Sequence, residues 1–288
     1  MNDYLIFTDA SADLVEAIAD ENGVQYIEMP CASEDGVFNC TGRNTDEEFC
    51  SFYEGIRTGE LPKTTQITPF TYEEIATPYL KDGKSVLYLS LSSGLSSTFE
   101  AACLAAENLN GKFGDARFVP IDSIGATGSM GILVERMIEN RKNGLSIDDN
   151  KADIEQFKHK MYTTCYVDDL KHLRRGGRIG AATAVIGAML NIKPIIRITE
   201  DGKLESCGKP RGERKAITFL SDVYKEKADL STDSPVYISD ADNDEMAAIM
   251  ESEIKAINPN AIIRRRRLSP IIGTHLGPES VVIAFVKK

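Results

Sequence analysis

Residues 86–102 read Val-Leu-Tyr-Leu-Ser-Leu-Ser-Ser-Gly-Leu-Ser-Ser-Thr-Phe-Glu-Ala-Ala, a pattern that predicts a buried strand, a tight serine and glycine turn, and a helix. Such a junction points unpaired backbone N–H groups outward. Five serines between Ser90 and Ser97 add hydroxyl donors, and the positive end of the helix dipole favours negative charge there. The stretch is suited to an anion. A plainer reading is also open, in which Ser96 or Ser97 caps the helix and Glu100 completes a capping box.

Three enzyme motifs fit this stretch poorly. A hydrolase nucleophile elbow wants glycine where Gly94-Leu95-Ser96-Ser97-Thr98 ends in threonine. Dinucleotide and P-loop fingerprints need three spaced glycines or a Gly-Lys pair, and the turn offers one glycine and no lysine.

Around this element the chain alternates strands and helices. Strands are expected at 4–7, 24–29 and 117–121, with helices around Leu14 to Ile18, from Thr45, over 72–80, 99–108 and 128–141. Alternation of this kind implies a parallel sheet with ligands at the carboxyl ends of its strands, where Thr8-Asp9, the serine turn and Asp122-Ser123 all fall. Segment 30–44 reads as a loop or an irregular hairpin, and 61–69 as a loop dense in hydroxyls. After a polar helix over 147–160 the pattern restarts, so the fold class is α/β in two domains, 1–160 and 161–288. The second has a hairpin across Asp201-Gly202, helices over 211–227 and 245–257, and strands over 236–239, 262–268 and 281–286. Its Asp168 to Arg175 is a short charged helix stopped by Gly176-Gly177, with Arg178 just beyond. Gly180 to Leu190 is almost wholly apolar, too short to cross a bilayer, and predicts a buried segment or the lining of something apolar.

Composition narrows the partners. A net charge of −11 and the absence of tryptophan argue against a general nucleic-acid binder. The six cysteines form no Cys-x-x-Cys pair and, with three scattered histidines, give no zinc-site spacing, so reduced thiols and no metal are expected. No stretch matches a membrane span or a signal peptide, which predicts a cytoplasmic protein. The basic run Arg264 to Arg267 reads first as a charged edge strand, and second as a docking surface.

Four donor groups sit in segments expected to be loops: Thr64 and Thr65, the turn containing Ser93, Gly94 and Ser96, Arg178, and His275 within Ile271 to Pro278. Each has a plain explanation alone, as a turn cap, a surface ion pair or a core histidine. Their motifs together resemble the DegV family of bacterial fatty-acid-binding proteins across essentially the whole chain. The likeness rests on Thr8 to Leu14, Thr64-Thr65-Gln66-Ile67, Ser92 to Thr98, Ile121-Asp122-Ser123, Gly176-Gly177-Arg178-Ile179, Asn191 to Ile195 and Gly273 to Pro278. Departures from the family pattern are Ala10 for serine, Ile67 for proline and Ser97 for glycine.

The resemblance implies two α/β domains with a long-chain fatty acid between them. Its carboxylate is expected on Thr64 and Ser96, with Thr65, Ser93 and Gly94 beside them. Arg178 and His275 are expected near the head group when a partner ATP-dependent fatty acid kinase phosphorylates it to an acyl phosphate. On this reading the chain is a lipid-binding subunit, not an enzyme, has no cofactor or catalytic residue of its own, and makes at most transient membrane contact. Gly180 to Leu190 is the candidate tunnel wall. The competing reading is a serine hydrolase using Ser96, His275 and Asp122.

Overall fold

Tyr4–Asp9 and Ser85–Ser90 are near-continuous apolar runs, the pattern of strands covered on both faces. In the computed structural model they pair in parallel as β1 and β6 of a four-stranded sheet. The structure describes residues 4–33, 36–178, 180 and 191–288. Of the expected tunnel-wall segment Gly180 to Leu190, residues 181–190 lie outside that set.

Two further parallel strands, Gln25–Ile27 (β2) and Phe118–Asp122 (β7), complete the order β2-β1-β6-β7. Successive residues point to opposite faces, so the sheet feeds two cores. Phe7, Tyr88 and Phe118 pack with the small residues of helix Thr98–Leu109 (α4) and with Tyr72 of helix Pro69–Lys81 (α3). Ile6, Leu87, Leu89 and Ile121 pack instead with helix Gly128–Lys142 (α5) and helix Ile147–Phe157 (α6). The register sets Ser90 opposite Asp122, which brings the polar carboxyl ends of these strands to one edge. Helix Glu16–Glu21 (α1) follows β1.

The expected single strand over 24–29 breaks at Glu28. β2 stays in the parallel sheet, while Met29–Ser33 (β3) pairs antiparallel with Gly36–Cys40 (β4) and Lys63–Thr64 (β5) in a small second sheet. Segment 30–44, expected to be a loop or an irregular hairpin, forms most of the β3/β4 hairpin, and the expected loop 61–69 carries β5. Helix Asp46–Thr58 (α2) lies between β4 and β5, opened by a capping box in which Thr45 and Glu48 satisfy each other's backbone N–H.

Met161–Tyr166 (β8) begins a six-stranded sheet ordered β10-β9-β8-β13-β11-β12, with β9 Ile195–Ile198, β10 Leu204–Gly208, β11 Val236–Asp240, β12 Ile263–Arg267 and β13 Val281–Val286. Only the β11/β12 pairing is parallel, and the β9/β10 hairpin is antiparallel as expected. Helices Glu213–Lys227 (α8) and Asp244–Ile257 (α9) bury Leu220, Tyr224 and Met250 against one face. The other face meets α5, where Tyr237 and Ala284 share a core with Met130 and Leu133.

The expectation that 271–278 is a loop is corrected: Pro270–Leu276 is a helix, called α10 below, preceded by the short helix Lys171–Arg175 (α7) in chain order and packed on it. Glycine and β-branched residues hide its period. Ser269 caps it by accepting the Ile271 N–H at 3.3 Å, and Pro270 sits at its first position.

Candidate functional site

Apolar side chains, among them Leu91, Leu95, Leu173, Ile196, Ile271 and Leu276, line a cavity that opens to solvent. Its walls come from both halves of the chain: the turn after β6 and the β3/β5 sheet on one side, and β8, β9, α7 and α10 on the other. Thr64, Thr65, Ser96, Arg178 and His275 all border it.

Each polar group is placed by a different element. Thr64 ends β5, where it pairs with Cys31 of β3. Its hydroxyl shares a 2.9 Å hydrogen bond with His275 Nε2. His275 rides on α10, and its ring lies against Gly176, where an added Cβ would stand 2.1 Å from Nδ1. Burial, helped by the charges of Arg178 and Arg175, pushes the imidazole down to about 4, so it is neutral at physiological pH. Its Nδ1 is buried without a partner among the described residues. Ser96 Oγ lies 2.8 Å from Thr98 Oγ1 and accepts the Thr98 N–H at 3.3 Å, a local turn just ahead of α4. Arg178, exposed at the mouth, reaches across to donate from Nε to the Leu95 carbonyl at 3.1 Å and from Nη1 to the Gly176 carbonyl at 2.7 Å.

Ser93 and Gly94 do not border this cavity. Ser93 donates to Asp122 through both its N–H, at 3.1 Å, and its hydroxyl, at 2.5 Å. Gly94 leans on the β9/β10 turn, where a Cβ would lie 2.6 Å from the Gly202 carbonyl oxygen. Ser92 donates to that same carbonyl at 2.8 Å. Ser92 and Gly94 thus fasten the serine turn to the second half of the chain, while Ser93 ties it to the end of β7.

The hydrolase geometry is not assembled. Ser96 is bonded to Thr98, His275 to Thr64, and Asp122 to Ser93 and to the Ile124 N–H at 2.9 Å, so the three would-be triad members each face another partner.

The lining therefore combines hydroxyls, a neutral imidazole and the guanidinium of Arg178 with an apolar interior, and Arg197, paired with Glu205, also borders it. This is chemistry for a carboxylate on a long hydrocarbon. Sequence reasoning missed most of the wall. Ile196 and Leu173 carried only a general apolar signal, and the hydroxyls of Thr163 and Thr164 on β8, which also line the cavity, carried none.

A family model described as "Uncharacterised protein, DegV family" matches residues 4–288. The chain belongs to the DegV family. A DegV domain-containing protein of Clostridium perfringens is 31% identical over 288 residues, covering 99% of this chain and 98% of that one. The solved structure of Bacillus subtilis DegV, described as a fatty acid binding protein, superposes with a TM-score of 0.84 at 27% identity and full coverage of both chains. A DegV family protein from Thermus thermophilus, described by its fatty acid binding, gives 0.85 at 25% identity with 99% of each chain covered. The DegV fold is thus shared over the full length. Among the described residues no helix is long and apolar enough to cross a membrane, and no group of three His, Cys, Asp or Glu side chains is arranged to hold a metal.

Proposed function

We propose that this DegV protein binds one long-chain fatty acid, with its carboxylate at Thr64 and Ser96 and its chain in the apolar cavity. The observation that carries the reading is the convergence of Thr64, Ser96, Arg178 and His275, from four separate stretches of sequence, on the border of one apolar cavity. The fatty-acid-binding descriptions of the Bacillus and Thermus relatives support it. Burying a ~16-carbon tail at about 0.8 kcal/mol per methylene contributes on the order of 12 kcal/mol before ordering costs, so the tail supplies affinity and the head group supplies selection.

In the finer reading, the two α/β units 1–160 and 161–288 enclose the lipid between them, and the chain presents its acid to a separate ATP-dependent kinase. Arg178 then steadies charge on the acyl phosphate as it forms, with His275 beside it. The protein works in the bacterial cytoplasm with transient membrane contact for lipid exchange.

Mass spectrometry of lipid extracted from the purified protein tests the binding step. Stoichiometric intact fatty acid is expected, and much less from a Thr64→Val, Ser96→Ala double variant. A wild-type protein that neither carries nor takes up fatty acid ends the proposal.

A further inference from the structure

Two carboxylates, Asp9 and Asp13, lie four residues apart where the chain leaves β1, and they are 0% and 2% exposed. Burying a carboxylate costs free energy unless its oxygens find donors. Apart from Ser11 of the same loop and Tyr88 of β6, the donors here come from the turn that leads to Ser96 and from the cap of the helix that carries His275.

Asp9 Oδ2 accepts the Leu91 N–H at 2.9 Å and the Tyr88 hydroxyl at 2.8 Å, and Oδ1 accepts the Ser11 N–H at 3.0 Å. Leu91 opens the turn that leads to Ser96. Tyr88 OH is 2.8 Å from Tyr72 OH, which reaches the Thr98 carbonyl at 3.4 Å, and Thr98 Oγ1 meets Ser96 Oγ. Asp13 Oδ1 accepts the Ser269 N–H at 3.0 Å. Ser269 donates its hydroxyl back to the Ala10 carbonyl and caps α10, which carries His275. One short loop therefore grips the serine turn with one carboxylate and the His275 helix with the other.

Stability alone does not explain Asp13. Its Oδ2 and the neighbouring Ser239 Oγ and Arg266 Nε lack well-formed hydrogen bonds among the described residues, although the Ser239 hydroxyl and the Arg266 charge both favour the ionised carboxyl. Ser239 and Asp240 of β11 and Arg266 of β12 are the polar and charged groups that act on it, and burial pushes its carboxyl up to about 7. A well-packed apolar residue avoids that cost. What an apolar residue cannot do is accept the Ser269 N–H.

We propose that Asp13 is a positioning residue which, with Asp9, fixes His275 and Ser96 relative to one another by anchoring the start of α10 and the serine turn to a common loop. The ligand consequence rests on the fatty-acid reading above, whereas the anchoring is measurable without ligand.

The test compares Asp13→Asn, Asp13→Ala and a core control, Leu220→Ala, in the full chain. The readouts are the nitrogen signals and titration midpoint of His275 in the ligand-free protein, assigned with His275→Gln, and the palmitate Kd. The Asn variant keeps the Oδ1 acceptor and should leave the midpoint near 4 and the Kd close to wild type. The Ala variant should raise the midpoint by about one unit or more and weaken palmitate ~10-fold. Leu220→Ala should lower Tm and move neither. Should Asp13→Ala fail to fold, Ser269→Ala removes the return bond and the cap, and should shift the same signals in the same direction by less. Unmoved His275 signals in whichever of these variants folds, or an equal shift in Leu220→Ala, overturn the proposal. If the wild type binds no palmitate while Asp13→Ala still moves His275, the ligand reading fails and the anchoring role stands.

Discussion

Thr64 Oγ1 and His275 Nε2, 211 residues apart in sequence, stand 2.9 Å from one another across the mouth of the cavity. The bond ties the small β3/β4/β5 sheet to α10, so the head-group site is shared between segments that have no local relationship. Replacing Thr64 by Val keeps the branched shape and removes the hydroxyl. A hydrogen bond to a charged group is worth about 1.5–3 kcal/mol, so fatty acid affinity should fall by roughly 10- to 100-fold. Competition against a fluorescent fatty acid measures this directly, and affinity within twofold of wild type removes Thr64 from the head-group set.

Gly176 offers a cleaner perturbation of the same site. Its φ of −72° is ordinary for any residue, so Gly176→Ala adds no backbone strain. The added methyl, however, would meet the His275 ring at 2.1 Å. The imidazole has to swing away and lose Thr64. Ligand affinity should drop while Tm falls modestly, by an overpacking cost of about 1–3 kcal/mol. A structure of this variant with the ring unmoved would contradict the contact.

Stability should depend on pH through groups of opposite sign. His275 and His172 are both lowered to about 4, chiefly by burial. The unfolded chain binds more protons than the folded one between about 6.5 and 4, so these histidines remove stability as pH falls through that window, on the order of 1–3 kcal/mol each. Asp13, raised to about 7 by burial, acts in reverse. Its cost is full above pH 7 and is relieved as pH falls toward 3.8. Asp13→Asn deletes the relief and leaves the histidines. Urea unfolding at pH 7.5 and 5 should therefore show a steeper acid loss in the variant than in wild type, and parallel curves would refute the assignment.

What was legible beforehand follows the range of the interactions. Apolar runs such as Val86 to Leu89 announce buried strands because each residue reports its own environment, and the chemistry of Thr64, Ser96, Arg178 and His275 was visible one side chain at a time. Their meeting place came from the family resemblance and not from the residues themselves. It depends on the Cys31 to Thr64 pairing and on a seven-residue helix whose signal is blurred by Gly273 and two isoleucines. Nor does sequence reveal why Gly176 is glycine, since the reason is a ring almost a hundred positions away. The roles of Ser93 and Gly94 show the same limit: their motif reads as a ligand turn, yet in space they hold that turn to Asp122 and Gly202.

The basic run on β12 illustrates how an apparent docking patch is used internally. β12 is the sheet's edge, as expected, but its arginines are half-buried and three of the four, Arg264, Arg265 and Arg267, face acids. Arg264 pairs with Glu135, and Arg265 with Asp244 and Glu251. Arg267 donates to Asp240 at 2.7 Å and to Asp244 at 2.6 Å. Asp240 is only 2% exposed, and burial holds its carboxyl above the usual range. Removing Arg267 takes away its nearest counter-charge, a defect worth about 3 kcal/mol. Arg267→Met should thus lower Tm strongly, and adding Asp240→Asn should recover part of the loss because no buried charge is then stranded. Arg265 joins exposed acids and its charge reversal should cost about 1 kcal/mol or less beyond its contact with Asp240. Chemical denaturation of the single and double variants separates these effects. A mild Arg267→Met, or a double variant no better than the single, would show that the pair does not hold this edge of the sheet.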